Sequence, residues 1–343
     1  MKDRDSNIEL LRIIATLLIL IVHCNGWFLS QWDGVNGWYS DGYAIGVTRV
    51  LIQSIGALGV DLFILISGFY GIRPKLKSVV NLFTCIFFFY VGCYLWACYY
   101  LGSIEFSIGG LMENVLSFSY QNWFINCYLM LMLVSPVLNT FVENTNRKYT
   151  LIYTLVFMLF TYYFGHIRQN GYFGYNNGYS FVMMITVYMV GRCLNKYGID
   201  AIRNIKTGWI FGMWVVTIIL MAIIRSIASD TVLLLNYGSP INVFSSTLLF
   251  LLFYRIPPFK SKCINWVGAS CLSVFIFHTC YPMVEWFARK DVMFYKEGPF
   301  GLYVTKISCV IGLIFVSAIL LDKVRLFIFA PFIRACGKVK TLN

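Results

Sequence analysis

Six ionisable residues stand inside long apolar runs: Arg12 and His23, then Asp61, then His278 and Glu285, and finally Lys306. Side chains of this kind are costly to bury in a membrane and mark candidate sites. A histidine held by a carboxylate or a second imidazole suits proton abstraction from a hydroxyl, because it titrates near neutral pH and its tautomer is fixed. Arg12 and His23 are eleven positions apart, about 1100° of helical rotation, so they share one face about 16 Å apart along the axis. Counting back from the ends of their runs puts His23, Asp61 and His278 all about 9–14 Å below one surface. The three form a candidate catalytic layer. Plainer roles exist for each: a lone imidazole bridging helices, Asp61 pairing with Arg49, Arg12 anchoring at an interface beside Glu9, and Glu285 and Lys306 snorkelling to the head groups.

The elements that must carry these residues are membrane helices. Of the 343 residues 59% are hydrophobic and 12% charged, whereas a soluble chain is about 45–50% apolar and about 25% charged. Reading for runs of about 20 apolar residues predicts ten spans, approximately 8–29, 54–72, 79–101, 122–141, 149–165, 179–194, 208–227, 240–255, 264–287 and 300–321. The expected fold is an all-α polytopic bundle of about ten transmembrane helices, one membrane domain over 1–343 with no soluble domain. Nineteen of the 27 Lys and Arg fall in alternate connections, among them Lys2, Arg4, Arg73, Lys75, Lys77, Arg147, Lys148 and Lys340. The bias of basic residues towards cytoplasmic loops then puts both termini inside. Lys2 and Arg4 precede a run too long for a signal peptide and without a small-residue cleavage site, so the first run stays as a span.

The net charge of +12 is explained by that topology. Nucleic acid is not an expected partner, since no basic and aromatic residues interleave on a polar background. Eleven cysteines without a C-x-x-C or Cys/His spacing read as small apolar residues, with no metal site expected. Aromatic residues crowd two connections, Trp27, Trp32, Trp38, Tyr39 and Tyr43 in one and Tyr172, Phe173, Tyr175 and Tyr179 in the other. They suit an interfacial belt or a surface on which sugar rings stack.

Four segments in order resemble the membrane-bound acyltransferase family 3, the polysaccharide O-acyltransferases. In SNIELLRIIATLLILIVHCNG, Arg12 and His23 match a basic residue, ten residues and a histidine. GVDLFILISGF is similar to the family's F-x-x-S-G-F, with Ser67 and Gly68. WFINCYLMLMLVSP resembles a W-F segment ending in S/T-P, with Trp123 and Asn126. LSVFIFHTCYPM carries His278 where members have a late histidine. Departures are a reduced basic cluster, Arg73-Pro74-Lys75-Leu76-Lys77, Asn126 and Cys127 near a position that is acidic in some members, and no fused SGNH-type hydrolase domain.

The resemblance implies acetyl-CoA, or another acyl-CoA, as co-substrate from the cytoplasm and a glycan acceptor beyond the outer leaflet. The setting it implies is the bilayer of the bacterial cytoplasmic membrane, with glycan-assembly proteins as further partners. Arg12, Arg73, Lys75 and Lys77 would bind the donor. His23 would deprotonate the hydroxyl or take the acyl group first, with Asp61 or His278 orienting it. Ser67 and Gly68 would support the oxyanion, with Trp123 and Asn126 towards the substrate. The alternatives are another acyl group such as succinyl, a transporter or flippase of a lipid-linked glycan, and a sensor or scaffold. The flippase predicts inverted repeats and paired broken helices.

Overall fold

A peptide group that leaves water for hydrocarbon must be hydrogen-bonded within its own segment, and a helix does this locally. A computed structural model describes residues 5–32, 37–116, 122–168, 178–227 and 235–338, and every regular element among them is helical. Lys2, Arg4, Tyr172, Phe173, Tyr175, Lys340 and the Trp32 side chain lie outside the described residues. In chain order the helices are α1 (Ser6–Val22), α2 (Tyr43–Gly56), α3 (Leu58–Tyr70), α4 (Leu76–Trp96), α5 (Ile108–Leu116), α6 (Trp123–Asn144), α7 (Arg147–Tyr162) and α8 (Phe181–Cys193). They continue with α9 (Thr207–Ile227), α10 (Pro240–Tyr254), α11 (Lys262–Gly268), α12 (Cys271–Thr279), α13 (Tyr281–Lys296), α14 (Phe300–Ile328) and α15 (Ala330–Lys338).

Among the described residues seven helices are long and apolar enough to cross a membrane: Ser6–Phe28, Tyr43–Tyr70, Leu76–Leu101, Trp123–Asn144, Arg147–Ile167, Thr207–Ile227 and Phe300–Ile328. The chain is a multi-pass, all-helical membrane protein. The expectation of ten spans differs at three places. The sixth run forms α8, which continues through a π-helical turn, Leu194–Gly198, as far as Ala201 but with Arg192, Lys196 and Asp200 diluting its apolar face, and the eighth forms α10 of 15 residues, about 22 Å long against a hydrocarbon core of about 30 Å. Both are largely buried, α10 with Asn242, Ser245 and Ser246 inside. The ninth run is broken at Cys280, with the helices on either side bent by 78°. Pro282 follows the break, and as a residue of the first turn of α13 it needs no N–H partner.

The residues fall into two compact units, one formed by 1–73 and 127–268, the other by 74–126 and 269–343. In the first, α3 packs on α8, α1 and α10, while α9 lies against α10 and α2. The outward faces of α7 and α9 are apolar, with Leu155, Leu159, Phe211 and Ile223 exposed; this is a surface for lipid rather than water. In the second, α12 packs on α14 and α4, and α13 on α14. Polar side chains hold that core together, as Ser270 donates to Asp322 at 2.6 Å and the buried Arg325 pairs with Asp322 at 2.7 Å. No cysteine is in a disulfide; Cys24, Cys85 and Cys271 are buried, as expected, but Cys309 is exposed on α14.

Candidate active site

The first helix carries the Arg12 and His23 pair, and both of its ends are tied down. At the first end Ser6 accepts from the Ser261 N–H at 2.7 Å and donates to Asn265 at 2.9 Å, while Asn7 donates to the carbonyls of Phe253 and Ile256. Glu9, 2% exposed, forms an ion pair with Arg12, whose side chain is 25% exposed. The carboxylate of Glu9 fits against the backbone of Gly268, where an added Cβ would stand 2.6 Å from Oε2. Arg12 is thus a half-buried cation with an i,i+3 partner, as expected.

At the other end α1 passes into a π-helical turn, His23–Phe28. Such one-residue widenings recur at functional positions. Asn25 donates to the Arg49 carbonyl at 2.8 Å and to Gln53 Oε1 at 2.9 Å, and Arg49 returns a bond to the Asn25 carbonyl at 3.3 Å. His23 is half-buried, with its ring 5.1 Å from Trp27 edge-on and 6.0 Å from Phe28. Arg49 is a buried residue of α2 rather than a loop charge, and it pairs with Asp41 at 3.8 Å, not with Asp61. The second span starts at Tyr43, eleven residues earlier than its apolar run suggests.

Asp61 does not share the His23 layer. The seam between α1 and α2–α3 sets the level: Gly56 abuts Val22, Gly59 abuts Ala15 and Ile19, and Gln53 bonds Asn25. His23 therefore stands opposite the end of α2, and Asp61 lies roughly 9 Å deeper along α3. Its carboxylate accepts from the Gly238 N–H at 3.2 Å and from Asn242 Nδ2 at 2.8 Å. Among the described residues those are its hydrogen bonds, so it anchors the turn before α10 instead of orienting His23. Gly238 takes φ +73 in that turn, a conformation that favours glycine. Burial pushes the neighbouring Tyr237 phenol well above its ordinary range, helped by Tyr179 and Asp61 and opposed by Arg225. It therefore stays protonated.

Ser67 donates back to the Phe63 carbonyl at 2.9 Å. A Cβ on Gly68 would stand 2.2 Å from the Tyr188 carbonyl oxygen, and one on Gly191 would stand 2.5 Å from that of Leu65. The S-G-F segment is thus the contact between α3 and α8, and backbone approach at Gly68 is made to Tyr188. Just beyond, Tyr188 Oη accepts from the Ile72 N–H at 2.9 Å and donates to Asn139 at 2.7 Å, and Asn139 donates to the Ile72 carbonyl. Buried Arg192 pairs with Glu143 at 2.5 Å. Arg73, Lys75 and Lys77 follow and are exposed. Arg12, the Ile72 turn, Arg192 and Arg255 all lie at the same end of this unit, joined by contacts such as Ser6 to Phe259 and Arg255 to Ile202.

In the second unit His278 is fully buried at the end of α12, its Nδ1 2.9 Å from the Val274 carbonyl and its ring edge-on to Phe275. That carbonyl can only accept, which fixes the proton on Nδ1. The 78° bend two residues later means that counting nine residues from Phe287 measures no depth. Phe124 rather than Trp123 is the buried partner of the W-F pair, 4.6 Å from Phe275. Asn122, 2% exposed, donates to Thr279 Oγ1 at 2.7 Å. Asn126 follows one turn later on α6.

A family model described as an acyltransferase domain, acyltransferase 3, matches residues 5–323. The chain belongs to the acyltransferase 3 family. No curated protein and no solved structure matches it. The acyltransferase 3 match runs from just before α1 to residue 323 within α14 and so includes every candidate residue named above. Membership favours a membrane acyltransferase over a carrier of glycans. Sequence reasoning missed Asn25, Gln53, Asn122, Asn139, Arg192 and the fully buried His166, whose ring lies 5.4 Å from Tyr162. Asn122 and Asn25 carried one signal, an amide beside a named motif residue. Arg192 and Asn139 carried none, since their partners are distant in sequence.

Proposed function

We propose that this acyltransferase 3 protein moves an acetyl group from cytoplasmic acetyl-CoA to a hydroxyl of a cell-surface or exported polysaccharide, working in the bacterial cytoplasmic membrane. The observation that carries the reading is α1: an arginine and a histidine about 16 Å apart on one helix, Arg12 paired with Glu9 and His23 opening a turn that Asn25 ties to Arg49 and Gln53. Arg12 steers the donor as a charged fork, with the exposed Arg73, Lys75 and Lys77 drawing in its phosphates. His23 takes the proton of the acceptor hydroxyl as that oxygen attacks the thioester carbonyl. The carbon–sulfur bond then breaks, and the CoA thiolate takes the proton back from the imidazolium. His278, with one tautomer fixed, is the second candidate for proton handling.

The test is the O-acetyl content of the surface glycan, by proton NMR, in cells carrying wild type, His23→Ala or His23→Gln at matched membrane levels. Loss of acetyl signal in both variants with glycan amount unchanged supports the reading. Persistent acetylation overturns the assignment of His23, and a succinyl signal in place of acetyl overturns that of the donor.

A further inference from the structure

Arg225 faces into the first unit from the last turn of α9. Ile218, Met221 and Ala222 are buried, and steps of three and four residues put Arg225 on their face of the helix. Its side chain is half-buried. Among the described residues it forms no ion pair, and its buried Nε has no hydrogen-bond partner. Its electrostatic neighbours are the phenols of Tyr179 and Tyr237, which carry no charge at neutral pH. Asp61 is engaged elsewhere, by the Gly238 N–H and Asn242. A cation turned away from water calls for an anion to offset its desolvation, and the described residues supply none.

One indole links this arginine to the His23 turn. The guanidinium carbon of Arg225 lies 5.6 Å from the Trp38 ring centroid and that of Arg49 lies 5.5 Å from it. Arg49 donates to the carbonyl of Asn25, two residues beyond His23, at 3.3 Å. Arg49 also has a counter-ion, Asp41, at 3.8 Å. Among the described residues the two arginines therefore leave one positive charge unmatched, that of Arg225. Trp38 is half-buried and Tyr179 is 41% exposed, so the cluster is reached from the surface of the unit.

We propose that Arg225 binds a carboxylate of the acceptor, which makes the acceptor an acidic glycan with a uronic acid or another carboxylate-bearing sugar close to the hydroxyl that is acylated. The inference rests on the acyltransferase reading of the His23 turn and names its acceptor class. One unmatched charge calls for one negative charge, and the two oxygens of a carboxylate fit the planar guanidinium fork. The Trp38 ring steadies the guanidinium without using any of its N–H groups, which stay available to the ligand. The line from Arg225 through Trp38, Arg49 and Asn25 puts the carboxylate within a short oligosaccharide of the imidazole. A neutral sugar in the same place leaves the cation unmatched, and so discrimination against it is built in.

The test uses the purified full chain and reads binding apart from transfer. Glucuronate and its methyl ester share one ring and differ in charge, and acetate has the charge without the ring. Millimolar glucuronate should raise the thermal unfolding midpoint of the wild type by about 2–4 °C, with little effect from the ester or acetate. Arg225→Gln should erase the difference between glucuronate and ester, and Arg225→Lys should keep part of it. Equal shifts from glucuronate and ester, or from glucuronate and acetate, in the wild type overturn the proposal. Transfer from labelled acetyl-CoA is then measured to the producing cells' de-O-acetylated surface glycan, either native or with its carboxyl groups reduced to alcohols. Reduction should raise the wild-type KM for glycan about tenfold with KM for acetyl-CoA unchanged, and Arg225→Gln should treat the two glycans alike. An unchanged KM on reduction, or transfer to a native glycan that has no carboxylate, overturns the proposal. Failure of transfer to both glycans by a wild type that binds glucuronate overturns the acyltransferase reading instead, and the charge-dependent shift still supports the carboxylate site.

Discussion

Gly68 separates two accounts of the S-G-F segment, one in which its backbone serves the reaction and one in which it lets two helices touch. The substitution is Gly68→Ala. The new Cβ would stand 2.2 Å from the Tyr188 carbonyl oxygen and 2.9 Å from its carbonyl carbon. Both neighbours are backbone, so α3 and α8 must part by about 1 Å, enough to forfeit a quarter to a half of each contact across the seam. Overpacking typically costs about 1–3 kcal/mol, and the lack of a movable side chain puts this case at the upper end. The gain in helix propensity returns about 1 kcal/mol, leaving about 2 kcal/mol of destabilisation. The assay is the midpoint of thermal unfolding of the full chain in detergent, expected to fall by about 4–8 °C. Gly212→Ala on α9, where nothing lies within 4 Å of the added Cβ, is the control and should be neutral or stabilising. Gly191→Ala strains the same seam against Leu65 and Phe69, so the double variant should cost less than the sum of the singles. A Gly68→Ala protein as stable as the Gly212→Ala control, yet inactive, would refute the packing account and return Gly68 to the chemistry.

Three further outcomes follow from the same geometry. Asp61→Leu leaves the buried donors of Gly238 and Asn242 unmatched and should cost about 1–3 kcal/mol for each, read as a lower unfolding midpoint; Asp61→Asn should cost less. On the proposed function, Arg12→Gln should raise KM for acetyl-CoA by about tenfold with kcat nearly unchanged, while Arg12→Lys keeps the charge and loses less; a fall in kcat alone would contradict a donor-binding role. Asn25→Ala, which unties the His23 turn from Arg49 and Gln53, should lower kcat severalfold and leave KM for the donor unchanged, as steady-state rates on membranes would show.

The helical class and most spans were legible because composition decides them. Window counting failed where burial or a break decides. It measures length along the chain, so it passed α10, whose Asn242, Ser245 and Ser246 are tolerable only inside the bundle. It also ran straight through Cys280, although Pro282 stood in the sequence as a sign of the bend. The Arg12 and His23 spacing survives because it lies within one helix. The hydrogen bonds of Asp61 were not legible because its partner Asn242 is 181 positions away and no local pattern announces it. Arg49 looked like a loop charge because Arg49 and Gln53 dilute the apolar run, hiding the first four turns of a 28-residue helix.

What α1 contributes is a fixed distance. Its Arg12 end is bound to the segment between α10 and α11, and its His23 end to α2, by networks that share no residue. Between them Gly56 and Gly59 let α2 and α3 approach α1 closely, so sliding by one residue would drive a Cβ into Val22 or Ile19. A helix held at both ends and along one side cannot bring its arginine towards its histidine. On the proposed reading, a donor that engages both must bridge about 16 Å between its anionic part and its acyl carbon. Acetyl phosphate, with a carbonyl next to its phosphate, is too short to do this. A thioester on a long flexible arm, as in the proposed acetyl-CoA donor, meets the requirement.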